Sequence, residues 1–213
     1  MKLEYVLPAD IERRSFEIIE SELKAEIPEE IKPVVIRAIH TTADFDYAES
    51  LYFSPDVINT ALDVLDRGAV IVTDTNMAKA GINKPALARH GCECMCFMAD
   101  EDIAISAKTN GTTRAAASVD KASKLGKPVI YAVGNAPTAL VRLCDHISAG
   151  SFMPELVIGA PVGFVNVVQS KEMLIASGIP CIVARGRKGG SNVAAAICNA
   201  LLYMLDNKKG IKK

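Results

Sequence analysis

The 213-residue chain contains no tryptophan and only 5% aromatic residues, so stacked aromatic platforms of the kind that hold bases or sugars do not organise its site. Charge of one sign is also lacking, with 24 Lys and Arg against 25 Asp and Glu. Without a global field to draw in nucleic acid or an anionic membrane, any recognition of anions has to be local. Long hydrophobic runs are missing too. Stretches such as 69–73 and 154–168 are too short, or too broken by Gly and Pro, to span a bilayer. The opening Met1-Lys2-Leu3-Glu4-Tyr5 leads into a charged amphipathic segment without a signal-peptide core. A cytoplasmic protein with neither a nucleic-acid nor a membrane partner is expected.

What is abundant is aliphatic. Hydrophobic residues make up 50% of the chain and the mean hydropathy is +0.21, more than a small monomer needs to bury. Ala, Val and Ile supply the surplus, which suits parallel strands packed under Ala-rich helices. The six cysteines read as reduced thiols. In Cys92-Glu93-Cys94-Met95-Cys96 three thiols would line one face of a strand, whereas metal sites separate ligands by a turn. Small buried core residues are predicted there, and no metal.

The N-terminal third reads as helical. One helix opens after Leu7-Pro8 and runs to about Lys24, with Ile11, Ile18, Ile19 and Leu23 as its stripe and Ser15 on that same stripe. A second starts near Pro28 and turns Ile31, Val34, Val35, Ala38 and Ile39 inward, which sets Arg37, His40 and Asp44 on an adjoining face. A third is predicted from a Ser54-Pro55-Asp56 cap to a stop at Gly68. From residue 69 the pattern changes to β-branched runs at 69–73, 92–97, 128–133, 155–159 and 180–184, separated by helices at 77–80, 112–125, 137–148, 170–177 and 191–206. That alternation predicts a doubly wound α/β fold with a parallel five-stranded sheet. The whole chain, 1–213, is then one domain, a helical segment 1–68 packed on a core 69–206, with the basic residues 208–213 as a solvated tail.

Ligands of such sheets collect outside the carboxyl ends of the strands. Loops at 134–138, 161–165 and 185–191 follow strands there and carry glycines that let backbone approach a ligand. None has the Gly-x4-Gly-Lys-Ser/Thr spacing of a phosphate loop, nor Gly-x-Gly-x-x-Gly. A carboxylate-rich or phosphate-bearing small molecule fits better, with Arg114, Arg185, Arg187 and Lys188 as cations and Asn135 in the first of these loops. Of the three histidines, His90 and His146 look structural. His40 lies one turn from Arg37 and precedes Thr41-Thr42, so a proton-transfer group, a cation and hydroxyls converge.

Several ordered segments resemble one known family: Ile36-Arg37-Ala38-Ile39-His40-Thr41, Gly134-Asn135-Ala136-Pro137-Thr138-Ala139-Leu140, Pro161-Val162-Gly163-Phe164-Val165 followed by Gln169-Ser170-Lys171, and Arg185-Gly186-Arg187-Lys188-Gly189-Gly190-Ser191. They are similar to the motifs of the precorrin-8X methylmutases, including the cobalt-precorrin-8 methylmutases, and the resemblance runs from Ser15 to about Leu201. It implies a flavodoxin-like α/β fold, a homodimer and no cofactor. It also implies an intramolecular shift of a methyl group from carbon 11 to carbon 12 of a tetrapyrrole, giving a cobyrinate-type product. By that resemblance His40 is the acid and base, and Ser15 and Arg37 contact substrate. Arg114, Asn135 and Arg185 rest more on the crevice argument. The residues alone leave open a tetrapyrrole carrier without chemistry, or a phosphate- or nucleotide-binding domain, and whether the substrate carries cobalt.

Overall fold

The computed structural model describes residues 3–211. Two helices, α1 (Ile11–Glu22) and α2 (Lys32–Thr42), precede a short α3 (Tyr47–Ser50), strand β1 (Leu51–Phe53) and α4 (Val57–Asp66). Then come β2 (Val70–Thr73), α5 (Asn76–Gly81), α6 (Lys84–Arg89), β3 (Glu93–Met95), α7 (Glu101–Thr109) and α8 (Arg114–Ala122). The chain continues through β4 (Val129–Val133), α9 (Pro137–Ser148), β5 (Leu156–Gly159), α10 (Val167–Ala176), β6 (Cys181–Ala184) and α11 (Ser191–Lys208). The six strands form one sheet in the order β1-β6-β5-β4-β2-β3. Every neighbouring pair is parallel except β1 with β6.

The sheet is buried on both faces, which explains its β-branched runs. Alternate residues point to opposite sides. Ile71, Ile130, Ala132, Leu156, Ile158, Ile182 and Ala184 face a core shared with α2, α4 and α11. Val70, Val72, Val129, Tyr131, Val133, Val157, Cys181 and Val183 face the opposite core, made with α7 to α10. Helix α11 lies against α2, α4, α5 and α6, so the Ala-rich helix is the spine of the first layer.

The five expected strands are six, because residues 51–53 of the segment expected to be helical pair antiparallel with β6. Ser54 does not cap a helix. Its N–H donates to the Cys181 carbonyl (3.0 Å) and its hydroxyl accepts from the Cys181 N–H (2.9 Å), prolonging the β1–β6 ladder. Helix α4 therefore starts only at Val57, after Asp56 takes a left-handed conformation with φ of 56°. The stripe on α1 also differs. Ile11 and Ile18 are exposed, and Ile19 is the buried one, flanked by half-buried Phe16 and Leu23 that pack on α2. Of the expected basic tail, Lys208 ends α11 and Lys209 pairs with Asp66, while residues 212–213 lie outside the described range. Cys92 and Cys96 are buried, and the half-buried Cys94 thiol is pushed by burial up to about 11. No helix among the described residues is long and apolar enough to cross a membrane.

One charged network locks the spine. Asp206 of α11 is fully buried and accepts from Arg89 Nε at 3.1 Å, Arg89 Nη2 at 2.5 Å and His90 Nε2 at 2.8 Å. The Arg89 guanidinium first, and His90 after it, hold the carboxyl below its ordinary value. Its contribution to stability is therefore present above the ordinary value of 3.8 and is lost as pH falls through the lower folded value. Replacing Asp206 by Asn leaves the buried His90 and the guanidinium facing an amide, and urea unfolding at pH 7 should show a loss of about 3 kcal/mol. The difference between wild type and variant should shrink below pH 4.

Candidate functional site

The carboxyl ends of the strands are joined by a set of buried polar contacts. Asp74, the residue after β2, is 1% exposed. Its carboxylate accepts from the N–H groups of Gly134 (2.8 Å), Asn135 (2.8 Å) and Ala136 (2.7 Å) in the loop after β4. Burial raises this carboxyl above its ordinary value, and the three N–H groups work against that rise. Next in sequence, Thr75 caps α5 and its hydroxyl meets the Ser191 hydroxyl at 2.8 Å, tying β2 to the first residue of α11. Gly134 is required by this closeness, since a Cβ there would come within 2.6 Å of the Ser191 Cα.

The loop from Arg185 to Gly190 is held from two sides. The Gly190 N–H donates to the Ala160 carbonyl at 2.8 Å and the Gly163 N–H to the Arg187 carbonyl at 3.2 Å. From α10, the wholly buried Lys171 donates to the carbonyls of Gly186 and Lys188, both at 2.8 Å. Burial lowers its ammonium to about 8. Lys188 reaches across to Asp44 (2.6 Å) and Asp46 (2.5 Å), just past the end of α2, and thereby holds the Asp44 carboxyl down.

That last contact brings the α2 end to the start of α11. Arg37, His40 and Thr41 of α2 line a cavity of about 200 Å³ with Gly81, Asn192, Ala195, Ala196 and Asn199. His40 is solvent-exposed and stands edge-on to Phe16, ring centroids 5.2 Å apart at 89°. The Arg37 guanidinium bonds Glu12 at 3.0 Å and lies between the rings of Phe16 (5.1 Å) and Tyr203 (4.7 Å). It is thus fixed by a carboxylate and two aromatic faces in a half-buried position beside the histidine.

The structure gathers some of the residues singled out by sequence and disperses others. Arg37 and His40 share the cavity. Ser15 is half-buried on the α1 face that also carries Glu12 and Phe16, and its hydroxyl donates to the Ile11 carbonyl at 2.8 Å. Ser15, Arg114, Asn135 and Arg185 do not line the His40 cavity. Arg114 is exposed at the start of α8. Asn135 is exposed, but its N–H is taken by Asp74, so that loop does not offer the open set of donors its glycine suggested. Arg185 is exposed and bidentate with Glu172, at 3.0 and 2.6 Å.

Asn192 and Asn199 were missed by sequence reasoning; the signal was there, two amides seven residues apart on one face of an alanine-rich helix. Asp74 was missed as well, although a carboxylate straight after a β-branched run is out of place unless it is paired. A larger hollow of about 730 Å³ lies between α8 and α9. Its Arg142 is committed to Asp120 at 2.6 Å, and Asp120 is also bonded by His146 (2.7 Å) from behind the lining, so the hollow's cation already has a protein partner.

An open, largely parallel sheet covered by helices, with Arg37 and His40 lining a cavity against α11, defines an α/β protein. The model of the precorrin-8X methylmutases matches residues 10–204. The chain is 45% identical over 205 residues to the cobalt-precorrin-8 methylmutase of Salmonella typhimurium, covering 93% of this chain and 96% of that protein. It is 42% identical over 203 residues to the cobalt-precorrin-8 methylmutase of Priestia megaterium, covering 95% and 90% respectively. The crystal structure of the precorrin-8x methyl mutase from Thermus thermophilus superposes with a TM-score of 0.85 at 37% identity, over 93% of this chain and 98% of the other. The chain belongs to the precorrin-8X methylmutase family.

In Asp74→Asn one acceptor oxygen becomes an NH2 group facing N–H donors, so urea unfolding should show a loss of about 1–3 kcal/mol. Amide hydrogen exchange should quicken at residues 134–136 ahead of the rest of α9.

Proposed function

We propose that this protein is an isomerase that moves a methyl group from carbon 11 to carbon 12 of precorrin-8 or its cobalt form, giving a cobyrinate-type corrin in cobalamin biosynthesis. The observation that carries the site assignment is the His40 imidazole, exposed yet fixed beside Arg37 against the first turns of α11. A methyl migration within one molecule is redox-neutral and has no leaving group to activate. What it requires is a macrocycle held in one conformation and a shift of charge. Protonation near the ring C nitrogen makes the carbon framework electron-poor and favours migration, and His40 is the group placed to give and recover that proton.

A cavity of about 200 Å³ admits an edge of the macrocycle and not its full disc. The rest of the ligand then lies over the exposed strand-end surface, with its acetate and propionate arms reaching outward. Arg37 contacts the edge inside the cavity and Ser15 the part of the macrocycle that passes over α1, while Arg114, Asn135 and Arg185 meet outlying carboxylates. For Arg185 this is an exchange reaction, since a substrate carboxylate has to share or replace Glu172. Cobalt, where present, arrives within the substrate.

The strand order supports a flavodoxin-like sheet: without β1, the parallel strands run β3-β2-β4-β5-β6, the 2-1-3-4-5 pattern of that fold. A homodimer is supported by large apolar side chains left exposed on segments that follow the strands, Met77 at 71%, Ile105 at 60%, Phe164 at 81% and Val165 at 79%. A second copy would cover them and keep water from the bound disc. A cytoplasmic location is supported by a water-soluble substrate and by described helices none of which is long and apolar enough to cross a membrane.

Replacing His40 by Ala should lower turnover by at least about 10²-fold, read as loss of the visible spectral change from precursor to corrin, with ligand binding retained. Full activity in that variant would remove His40 from the mechanism. Light scattering at micromolar concentration should give twice the chain mass; a monomer alone contradicts the dimer.

A further inference from the structure

Lys171 is a buried cation that the chemistry at His40 does not use. It is 0% exposed, and among the described residues its ammonium pairs with no carboxylate, because neighbouring Glu172 is turned to Arg185. A buried charge without a counterion is costly, and a methionine would fill the same volume without that cost. The ammonium therefore has to be retained for what it bonds. Its two partners are the carbonyls of Gly186 and Lys188, alternate residues of the loop between β6 and α11.

Those bonds fix the orientation of two peptide groups. In a trans peptide the C=O and the following N–H point in opposite directions, and no cis peptide occurs among the described residues. With the Gly186 and Lys188 carbonyls drawn in to Lys171, the N–H groups of Arg187 and Gly189 face away from it. Neither N–H donates to another protein group among the described residues. Arg187 is itself exposed, its guanidinium 5.4 Å from the centroid of the Phe164 ring. The loop cannot relax elsewhere: a Cβ at Gly189 would come within 2.3 Å of the Ala160 carbonyl oxygen, and Lys188 is tethered to Asp44 and Asp46 near the end of α2.

We propose that Lys171 is a positioning residue for substrate binding, which turns the loop's carbonyls inward so that the Arg187 and Gly189 N–H groups, with the Arg187 guanidinium, receive one carboxylate arm of the macrocycle. This rests on the tetrapyrrole reading above and names the part of the protein that grips the arm. Lys171 itself touches no substrate. Its substitution acts on binding, whereas loss of His40 acts on turnover.

The test compares wild type, Lys171→Met, Arg187→Ala and Arg187→Pro, using cobyrinate as the binding probe in absorbance titrations and authentic precursor for kinetics. Lys171→Met should raise the Kd for cobyrinate and the KM for precursor by about 10- to 100-fold, the effect of losing a charge-assisted hydrogen bond or two. Its kcat should change less than about threefold. Arg187→Ala, on the surface and without risk to folding, should weaken binding by removing the guanidinium alone. Arg187→Pro also removes an N–H and should weaken it further, which keeps the proposal testable if Lys171→Met fails to fold. Unchanged Kd and KM in folded Lys171→Met, or equal affinities for the two Arg187 variants, overturns the proposal while wild-type turnover leaves the methylmutase reading intact. Wild type that neither binds cobyrinate nor converts precursor overturns that reading and this one with it.

Discussion

Three backbone N–H groups converge on the carboxylate of Asp74, at 2.7–2.8 Å and almost out of reach of water, and the arrangement of the strand-end loops follows from that contact. It ties the end of β2 to the loop after β4, while adjoining Thr75 ties the same strand end to Ser191. The start of α11 is thereby fixed in height over the sheet. Asn192, Ala195, Ala196 and Asn199, the wall opposite His40, take their positions from it. On the other side of the rim, Lys171 does with carbonyls what Asp74 does with N–H groups. Two buried charges of opposite sign thus brace the loops from beneath, and the upper surface is left for a ligand.

The charges on that upper surface have a different character. Arg185, Lys188 and Arg37 are each bound to carboxylates of the protein, at Glu172, at Asp44 with Asp46, and at Glu12. This pairing accounts for a near-neutral chain that still carries cations on its strand-end loops. Cations held in exposed ion pairs contribute little to stability, so an incoming carboxylate can take the place of the resident one at small cost. Arg37 differs because it is half-buried between two rings, and its direction does not depend on the ligand.

The sequence made the parallel sheet visible because strands buried on both faces need unbroken β-branched runs. Strand β1 was not visible. It has three residues, lies at the edge and is stabilised by pairing with β6 across more than a hundred residues of chain. Helices α6 and α7 are short and begin among polar residues, so no apolar stripe announced them. Arg37 and His40 could be found because i,i+3 spacing on one helix is a local property. The bonds from Asp74 to Gly134, or from Lys171 to Gly186, use backbone groups as partners, and every residue type carries those; only the folded chain shows which are near. For the same reason Asn135 and Arg185 looked available in the sequence, while their N–H and guanidinium groups have partners in the structure.

The proposed mechanism requires His40 to face a nitrogen of the macrocycle from the α2 side. A crystal structure of the protein with its corrin product tests this most directly. The ring C nitrogen should lie within hydrogen-bonding distance of the His40 imidazole, with that edge of the disc between α2 and the first turns of α11. A macrocycle seated instead in the hollow between α8 and α9, with His40 still open to solvent, would contradict the account.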